Sequence, residues 1–305
     1  MAVLPLPFNV SLTGIVWNLA PETSVGMALN SANQRLREAQ IESAFLDAQV
    51  ILAHVLGVER AWLFAHSEME LSAKQAEQFT ELVARRMNHE PVAYLVGRRE
   101  FYGLDLNVDR RVLIPRPETE MLVDEVLAEL ESRPDPVVRI ADVGTGSGAI
   151  ALAIAANNER ARIYALDVSR RALGVAKTNV QKHDLRGQIT LLRGDLLEPL
   201  PEKVEIIVAN LPYIGADAYA ELDATVKEFE PRLALESGAD GLDAIARLLR
   251  HAADHLTANG MIYLEIGYDQ GLAVRTLASN VLPHARDIAV HQDYQGHDRM
   301  VVIAL

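Results

Sequence analysis

The hydrophobic patterning of the chain predicts an α/β fold. A doubly wound, mostly parallel sheet of seven strands follows a small helical domain and a hairpin connector. Three observations carry this reading. After Pro136, short β-branched apolar runs alternate with helical stretches, as strands buried on both faces and their crossover helices should. The first of these runs ends in Asp142-Val143-Gly144-Thr145-Gly146-Ser147-Gly148, a glycine-rich turn into an apolar helix. Ahead of Pro91, apolar residues recur at helical spacing, which sets a separate bundle apart.

Composition narrows the class. With 305 residues, half of them apolar, the chain has material for roughly two domains. Lys plus Arg number 29 against 42 Asp plus Glu, so 29 − 42 = −13, a balance that disfavours unspecific attachment to nucleic acid or anionic membrane. There is no cysteine, which removes disulfides and thiolate metal sites. The cytoplasm is the simplest compartment.

Residues 1–27 are expected to form a flexible extension, with Met27 as an alternative start. Met1 to Pro21 carries no charge, but it lacks a basic leader, and Pro5, Pro7, Asn9 and Asn18 interrupt any apolar run of spanning length. Residues 28–92 read as the helical domain: Leu36, Ile41, Phe45, Ala48, Ile51, Leu52 and Val55 form apolar stripes ending at Gly57. Ser72 opens a second long helix, Ala73 to about Met87. His54, His66 and His89 lack metal spacing.

Residues 93–117 read as a hairpin-rich connector, with extended runs at Val92 to Val96, Phe101 to Val108 and Arg111 to Leu113. It ends in Pro115-Arg116-Pro117, a rigid segment in which Arg116 is either a positioned ligand contact or a surface charge on a stiff linker. Residues 118–305 form the sheet domain. Strands are expected near 137–142, 162–166, 188–192, 204–209, 260–265, 286–291 and 299–304, and helices near 148–157, 169–183, 241–257 and 269–279.

Chemistry gathers at the strand ends. The spacing of the glycine turn is neither the dinucleotide fingerprint nor a P-loop, so phosphate binding is not implied, and Asp142 suits a ligand bearing an ammonium or hydroxyls. Asp167 follows Gly148 by 167 − 148 = 19 residues, where doubly wound folds catch ribose hydroxyls. Asp195, beside Leu196, closes the third strand. The fourth ends in Asn210-Leu211-Pro212-Tyr213. Its Asn210 side-chain carbonyl, the Leu211 carbonyl turned out of helical bonding by Pro212, and the flat face of Tyr213 suit a planar group bearing an –NH2. An Asx-type turn with a packed tyrosine reads the same way. Each acid alone is an ordinary cap or loop residue; together they line the edge where open α/β sheets bind ligands.

These residues resemble a class I, Rossmann-like AdoMet-dependent methyltransferase, and more closely the HemK/PrmC family of peptide chain release factor glutamine methyltransferases. The resemblance spans residues 28–305 and adds Arg99 to Gly103, Leu113 to Glu120, Phe229-Glu230-Pro231, Gly238 to Leu242, and Asp293-Tyr294 with Gly296 and Arg299. It implies S-adenosyl-L-methionine as methyl donor, with Asp142 and Gly144, Thr145, Gly146, Ser147 and Gly148 around its methionine part. Asp167 would take its ribose, and Asp195 with Leu196 would border its adenine. Asn210, Leu211, Pro212 and Tyr213 would hold the substrate glutamine amide, with Asn210, Pro212 and Tyr213 catalytic and Asn210 also beside the cofactor. Phe101 is expected near the reactive methyl and Arg116 against substrate. The implied reaction methylates the glutamine amide nitrogen in the GGQ motif of a release factor, gripped in part by the helical domain, with no metal, membrane or direct nucleic-acid binding. The family commonly has proline where Leu211 stands, and the Asn-Leu-Pro-Tyr form is similar to that of ribosomal RNA adenine dimethylases. Methylation of an adenine amine, or of a glutamine in a ribosomal protein, is the alternative.

Overall fold

The computed structural model describes residues 17–20 and 22–305. The chain divides into two compact units after Val96. Among the described residues, no helix is long and apolar enough to cross a membrane.

The first unit holds α1 (Val25–Glu38), α2 (Ala44–Leu56), α3 (Arg60–Ala65), α4 (Ala73–Met87) and α5 (Val92–Val96). Its core is built from Leu36, Ile51, Leu52, Leu63 and Phe79. Gly57 ends α2 at φ +68°, a left-handed turn that costs glycine nothing. Ser72 and Gln75 form a reciprocal capping box at the start of α4.

Two expectations change here. The helical run starts at Val25, ahead of Ala28, because Ser24 caps α1 by accepting from Met27 N and Val25 is fully buried. Further upstream, Trp17 donates to Ser31 Oγ at 3.0 Å and meets Phe79 edge-on. Residues 17–20 and 22–27 therefore include part of this core, and a chain begun at Met27 would forfeit the cap and these contacts. The rest of the expected extension, residues 1–16 and 21, lies outside the described residues. Val92 to Val96 is helical where an extended run was expected: Pro91 supplies the first free carbonyl, accepting from Tyr94 N and Leu95 N, so helix geometry overrides the β-branched ends.

The second unit opens with an antiparallel hairpin, β1 (Arg98–Phe101) and β2 (Leu104–Asn107). The hairpin is no loose connector. Phe101 and Leu106 sit in the core of this unit, and Asn107 N donates to Asn179 Oδ1 at 2.7 Å. Arg111 to Leu113 forms a turn instead of a strand, since Asp109 folds back on Arg111 N and side chain. A 3-10 turn over Pro117–Thr119 then leads into α6 (Glu120–Ser132).

Strands and helices alternate from there: β3 (Val138–Val143), α7 (Ala149–Asn157), β4 (Ala161–Asp167), α8 (Arg170–Lys182), β5 (Ile189–Arg193) and β6 (Val204–Ala209). Two short helices follow, α9 (Ala216–Ala220) and α10 (Ala224–Lys227). The chain ends with α11 (Asp243–His255), β7 (Leu256–Glu265), α12 (Gly271–Val281), β8 (Asp287–Gln292) and β9 (Asp298–Ala304). The seven strands lie in the order β5-β4-β3-β6-β7-β9-β8, parallel except for β9, which runs against both β7 and β8. All seven strands expected from the sequence are present.

Alternate residues of each central strand feed two cores. Ile140, Ile206 and Val208 pack with α6, α7 and the hairpin, while Ala141, Val143 and Ile207 pack with α11 and α12. The chain leaves β3 in one direction to β4 and returns on its other side as β6, so the carboxyl ends of β3 and β6 flank a topological switch point.

Candidate active site

A cavity of about 230 Å³ opens at that switch point, walled by the glycine turn, the ends of β4, β5 and β6, and the Pro115-Arg116 segment. The turn is shaped by backbone needs. Gly144 stands at φ +78°, and a Cβ there would come within 3.1 Å of Leu211 Cδ2, so the position needs both the freedom and the smallness of glycine. Gly144 N and Thr145 N both donate to Leu166 O at 2.9 Å, tying the turn to β4.

Asp142 stands behind the turn. Its Oδ2 accepts from Thr145 Oγ1 at 2.6 Å and from Ala151 N at 3.3 Å, and it is fully buried. Burial pushes its carboxyl up to about 7, against those hydrogen bonds, and the neighbouring Asp167 adds to the rise. Asp142 does not line the cavity, because at the end of a fully buried strand its side chain turns to the start of α7. Direct contact with a ligand is therefore corrected to support of the turn. Gly148 is corrected likewise: at φ +84° it caps α7 against Leu152 and Ala176, behind the wall formed by Gly144, Thr145, Gly146 and Ser147.

Asp167 does face the cavity. Its two oxygens accept from Gly146 N at 2.9 Å and Ser169 N at 2.8 Å, and burial raises its pKa in spite of both. Asp195 and Leu196 line the far wall, with Asp195 paired to Arg247 of α11. Arg247 also lines the cavity. No local sequence signal marks it, since it is one cation on an amphipathic helix.

At the end of β6, Asn210 lines the cavity and donates through Nδ2 to Thr119 Oγ1 at 3.1 Å, a bond that leaves its Oδ1 unused as an acceptor. Leu211 and Pro212 complete that wall. Tyr213 does not. Its hydroxyl donates to Glu265 Oε1 at 3.3 Å, and burial raises its pKa, so it buttresses the turn from behind where a flat cavity wall was expected. Glu265 closes β7, is 2% exposed, and has one oxygen with no partner among the described residues.

Arg116 lines the cavity and is paired with Glu230 Oε1 at 2.5 Å, while the other Glu230 oxygen accepts from Ile114 N at 3.2 Å. One carboxylate thus holds both the residue ahead of the Pro-Arg-Pro segment and its central arginine, which favours the positioned-contact reading of Arg116. Phe101 is a correction. It is 1% exposed and packs with Leu122, Val126 and Leu152 in the core, away from the cavity, because the hairpin lays its apolar side onto the sheet. Among the described residues, no three metal-ligating side chains converge.

A glycine turn, a strand-end acid and a strand-end asparagine around one switch point define a class I methyltransferase fold. The hMettl16 catalytic domain, solved in complex with the MAT2A 3′UTR hairpin 6, shares that fold with a TM-score of 0.54 at 15% identity, over 75% of this chain and 80% of its own. Residues 27–97 match the PrmC N-terminal domain and residues 119–229 the methyltransferase small domain. Release factor glutamine methyltransferase of Moorella thermoacetica is 45% identical over 89% of this chain and 95% of its own length. That of Rhodopirellula baltica is 42% identical over 87% and 90%. The chain belongs to the release factor glutamine methyltransferase family.

Proposed function

We propose that this protein moves the methyl group of S-adenosyl-L-methionine onto the side-chain amide nitrogen of the GGQ glutamine in a cytoplasmic peptide chain release factor. The observation that carries the reading is Asn210, which lines the cavity beside the glycine turn and whose Nδ2 is taken up by Thr119 Oγ1, so that Oδ1 is not used in that bond.

The cavity fits that methyl donor. Gly144 to Ser147 wall one side of it, and Asp167 presents acceptor oxygens suited to vicinal hydroxyls. Leu196 offers an apolar flank suited to a purine, and Asp167, the acid without a salt bridge among the described residues that lines the cavity, favours a ligand carrying positive charge. When bound, AdoMet supplies a methyl already activated on a sulfonium.

The protein's part is positioning. An amide nitrogen is a poor nucleophile because its lone pair is delocalised into the carbonyl. Asn210 Oδ1 and the Leu211 carbonyl accept its two N–H groups, which turns the lone pair toward the methyl. As the N–CH3 bond forms, the S–CH3 bond would break and the sulfonium leave as a neutral thioether; the nitrogen, then strongly acidic, would lose its extra proton to solvent water, with Asn210 Oδ1 orienting the N–H and taking no proton. Asn210 is no general base, since an uncharged carboxamide has no useful basicity near neutral pH. Arg116, held by Glu230, contacts the substrate backbone, and the helical unit grips the release factor.

The test is mass spectrometry of a purified release factor incubated with the protein and labelled AdoMet, beside a release factor whose GGQ glutamine is replaced by alanine and beside ribosomal RNA. One methyl on the GGQ glutamine, and none on the other two, is expected. Label on adenine instead would overturn the assignment.

A further inference from the structure

We propose that Asn179 is a positioning residue that ties the substrate-side wall of the cavity to the glycine turn, so that AdoMet seated on the turn fixes the segment which meets the release factor. The role rests on the donor and the substrate proposed above.

Asn179 stands on the apolar face of α8 with Ala172, Val175, Ala176 and Val180, and it is fully buried. An asparagine at such a place destabilises the fold unless its donors and acceptors are met. Here all are met. Its Oδ1 accepts from Asn107 N at 2.7 Å and from Asn107 Nδ2 at 3.0 Å, while its Nδ2 donates to Asn107 O at 3.0 Å and to Ser147 O at 2.9 Å. Three of these partners are main-chain groups, and they set the sense of the amide, because a backbone N–H only donates and a backbone carbonyl only accepts. Toward Asn107 the side chain behaves as the peptide of a neighbouring strand does, giving one bond and taking one at a single residue.

The two partners belong to two walls of the cavity. Ser147 lines it within the glycine turn, and its carbonyl lies ahead of the α7 ladder, in which Leu152 N donates to Gly148 O at 2.8 Å. Asn107 ends β2, and the chain running on from it supplies Arg111, Val112, Leu113, Pro115 and Arg116 to the cavity. Glu230 holds the far end of that segment through Ile114 N and Arg116. Asn179 anchors its near end.

α8 also reaches the ligand directly. Its cap Ser169 and its first-turn Ala172 line the cavity, and Ala172 lies 179 − 172 = 7 residues before Asn179, about 10 Å along the helix. Between them, a Cβ on Gly174 would stand 3.6 Å from Arg111 Nη1, so the helix backs the Arg111 side chain as well. Among the described residues that line the cavity, none belongs to the hairpin Arg98–Asn107. An effect of AdoMet on the hairpin therefore has to pass through its neighbours, and Asn179 is hydrogen-bonded to both sides.

The experiment is hydrogen exchange read by mass spectrometry on the full chain, with and without saturating AdoMet, for the native protein, Asn179→Ala and Asn107→Ala. Calorimetry sets the saturating concentration, and release-factor kinetics and melting temperature are measured alongside. AdoMet should slow exchange across residues 98–107 of the native protein by about threefold or more. In Asn179→Ala that slowing should vanish from the hairpin and persist in β8 and β9, which global stabilisation by a ligand also reaches. The same variant should raise the KM for release factor by about 10-fold at saturating AdoMet, with kcat changed less than about threefold. Asn107→Ala breaks one bond of the four and should fall between the two. A hairpin indifferent to AdoMet in the native protein overturns the link. So does an Asn179→Ala protein that only melts earlier, with hairpin response and KM as in the native chain. Should Asn179→Ala not fold, Asn107→Ala decides, and a hairpin response equal to the native one overturns the link. If the native chain leaves the release factor unmethylated while the hairpin responds as expected, the substrate reading fails and the link stands. No binding of AdoMet in calorimetry would remove the donor reading and the link together.

Discussion

At the amino end of the sheet, Arg139 of β3 donates to Glu205 of the adjacent β6 through its backbone N at 2.7 Å and its Nη2 at 2.5 Å, and to Glu202 at 2.8 Å. Burial pushes Glu205 upward, but the Arg139 hydrogen bonds outweigh it and hold the carboxyl below its ordinary range. At the carboxyl end of the sheet, Asp142 of β3 and Asp167 of β4 have no cation among the described residues, and burial holds both above that range. β7, beyond β6, ends the same way in Glu265. One end pairs its charges across the sheet; the other keeps acids that accept hydrogen bonds from the glycine turn and the start of α7. Paired charges and the residues proposed to bind thus fall at opposite ends of the sheet.

The sharpest way to test that separation is Asn210→Ala, at the end of β6. Single-turnover methylation should fall by about two to three orders of magnitude, roughly 3–4 kcal/mol of transition-state stabilisation, with melting temperature and AdoMet affinity nearly unchanged. A comparable loss of stability would show that the carboxyl end also holds the fold together.

Next comes pH. The Asp142 carboxyl has a folded pKa of about 7 against an unfolded value of 3.8, so its protonated form favours the folded state. That contribution is complete below pH 4 and is lost as pH rises through about 7. Urea unfolding of the ligand-free protein should show the native chain gaining on Asp142→Asn as pH is lowered from 8 to 5, by on the order of 2–4 kcal/mol. Glu205, with its depressed pKa, contributes in the opposite sense: its share is present above the ordinary carboxylate range and lost on acidification. Parallel pH profiles for Asp142→Asn and Glu205→Gln would break the contrast.

Asp167→Ala should weaken AdoMet binding by roughly 10- to 100-fold in calorimetry, since a charged acceptor for hydroxyls is removed. Unchanged affinity would take away the ribose role. The smallest effect belongs to Glu205→Ala, expected to cost about 1–2 kcal/mol of unfolding free energy, because Arg139 is partly exposed and water replaces part of what it loses. AdoMet affinity should stay as it was.

Much of this was legible in the sequence wherever local patterning and position coincide. Asp142, Asp167 and Asn210 each end an apolar β-branched run, and the parallel alternation puts those ends on one edge. Glu265 ends Met261 to Leu264 in the same manner and could have been found by the same signal. What was not legible is where a side chain turns once it arrives. Phe101, Tyr213 and Asp142 are all near the site in sequence terms and all face away from the cavity, because core packing, which no local spacing encodes, took them. Arg247 and Thr119 come from other elements, 37 residues after and 91 before Asn210 (247 − 210 and 210 − 119), and only the folded sheet brings them in. Val92 to Val96 misled in another way: β-branched residues bias toward extension, but five residues are too few for that bias to resist a turn begun by Pro91.

The indole of Trp17, packed edge-on against Phe79, has a practical use. The chain contains 2 tryptophans, Trp17 and Trp62, and both lie ahead of the division at Val96. Intrinsic tryptophan emission is therefore a private optical channel for the helical unit, with the catalytic unit dark at the same excitation. Followed beside far-ultraviolet dichroism, which both units share, it reports whether the two halves melt as one body or in sequence without any label being introduced.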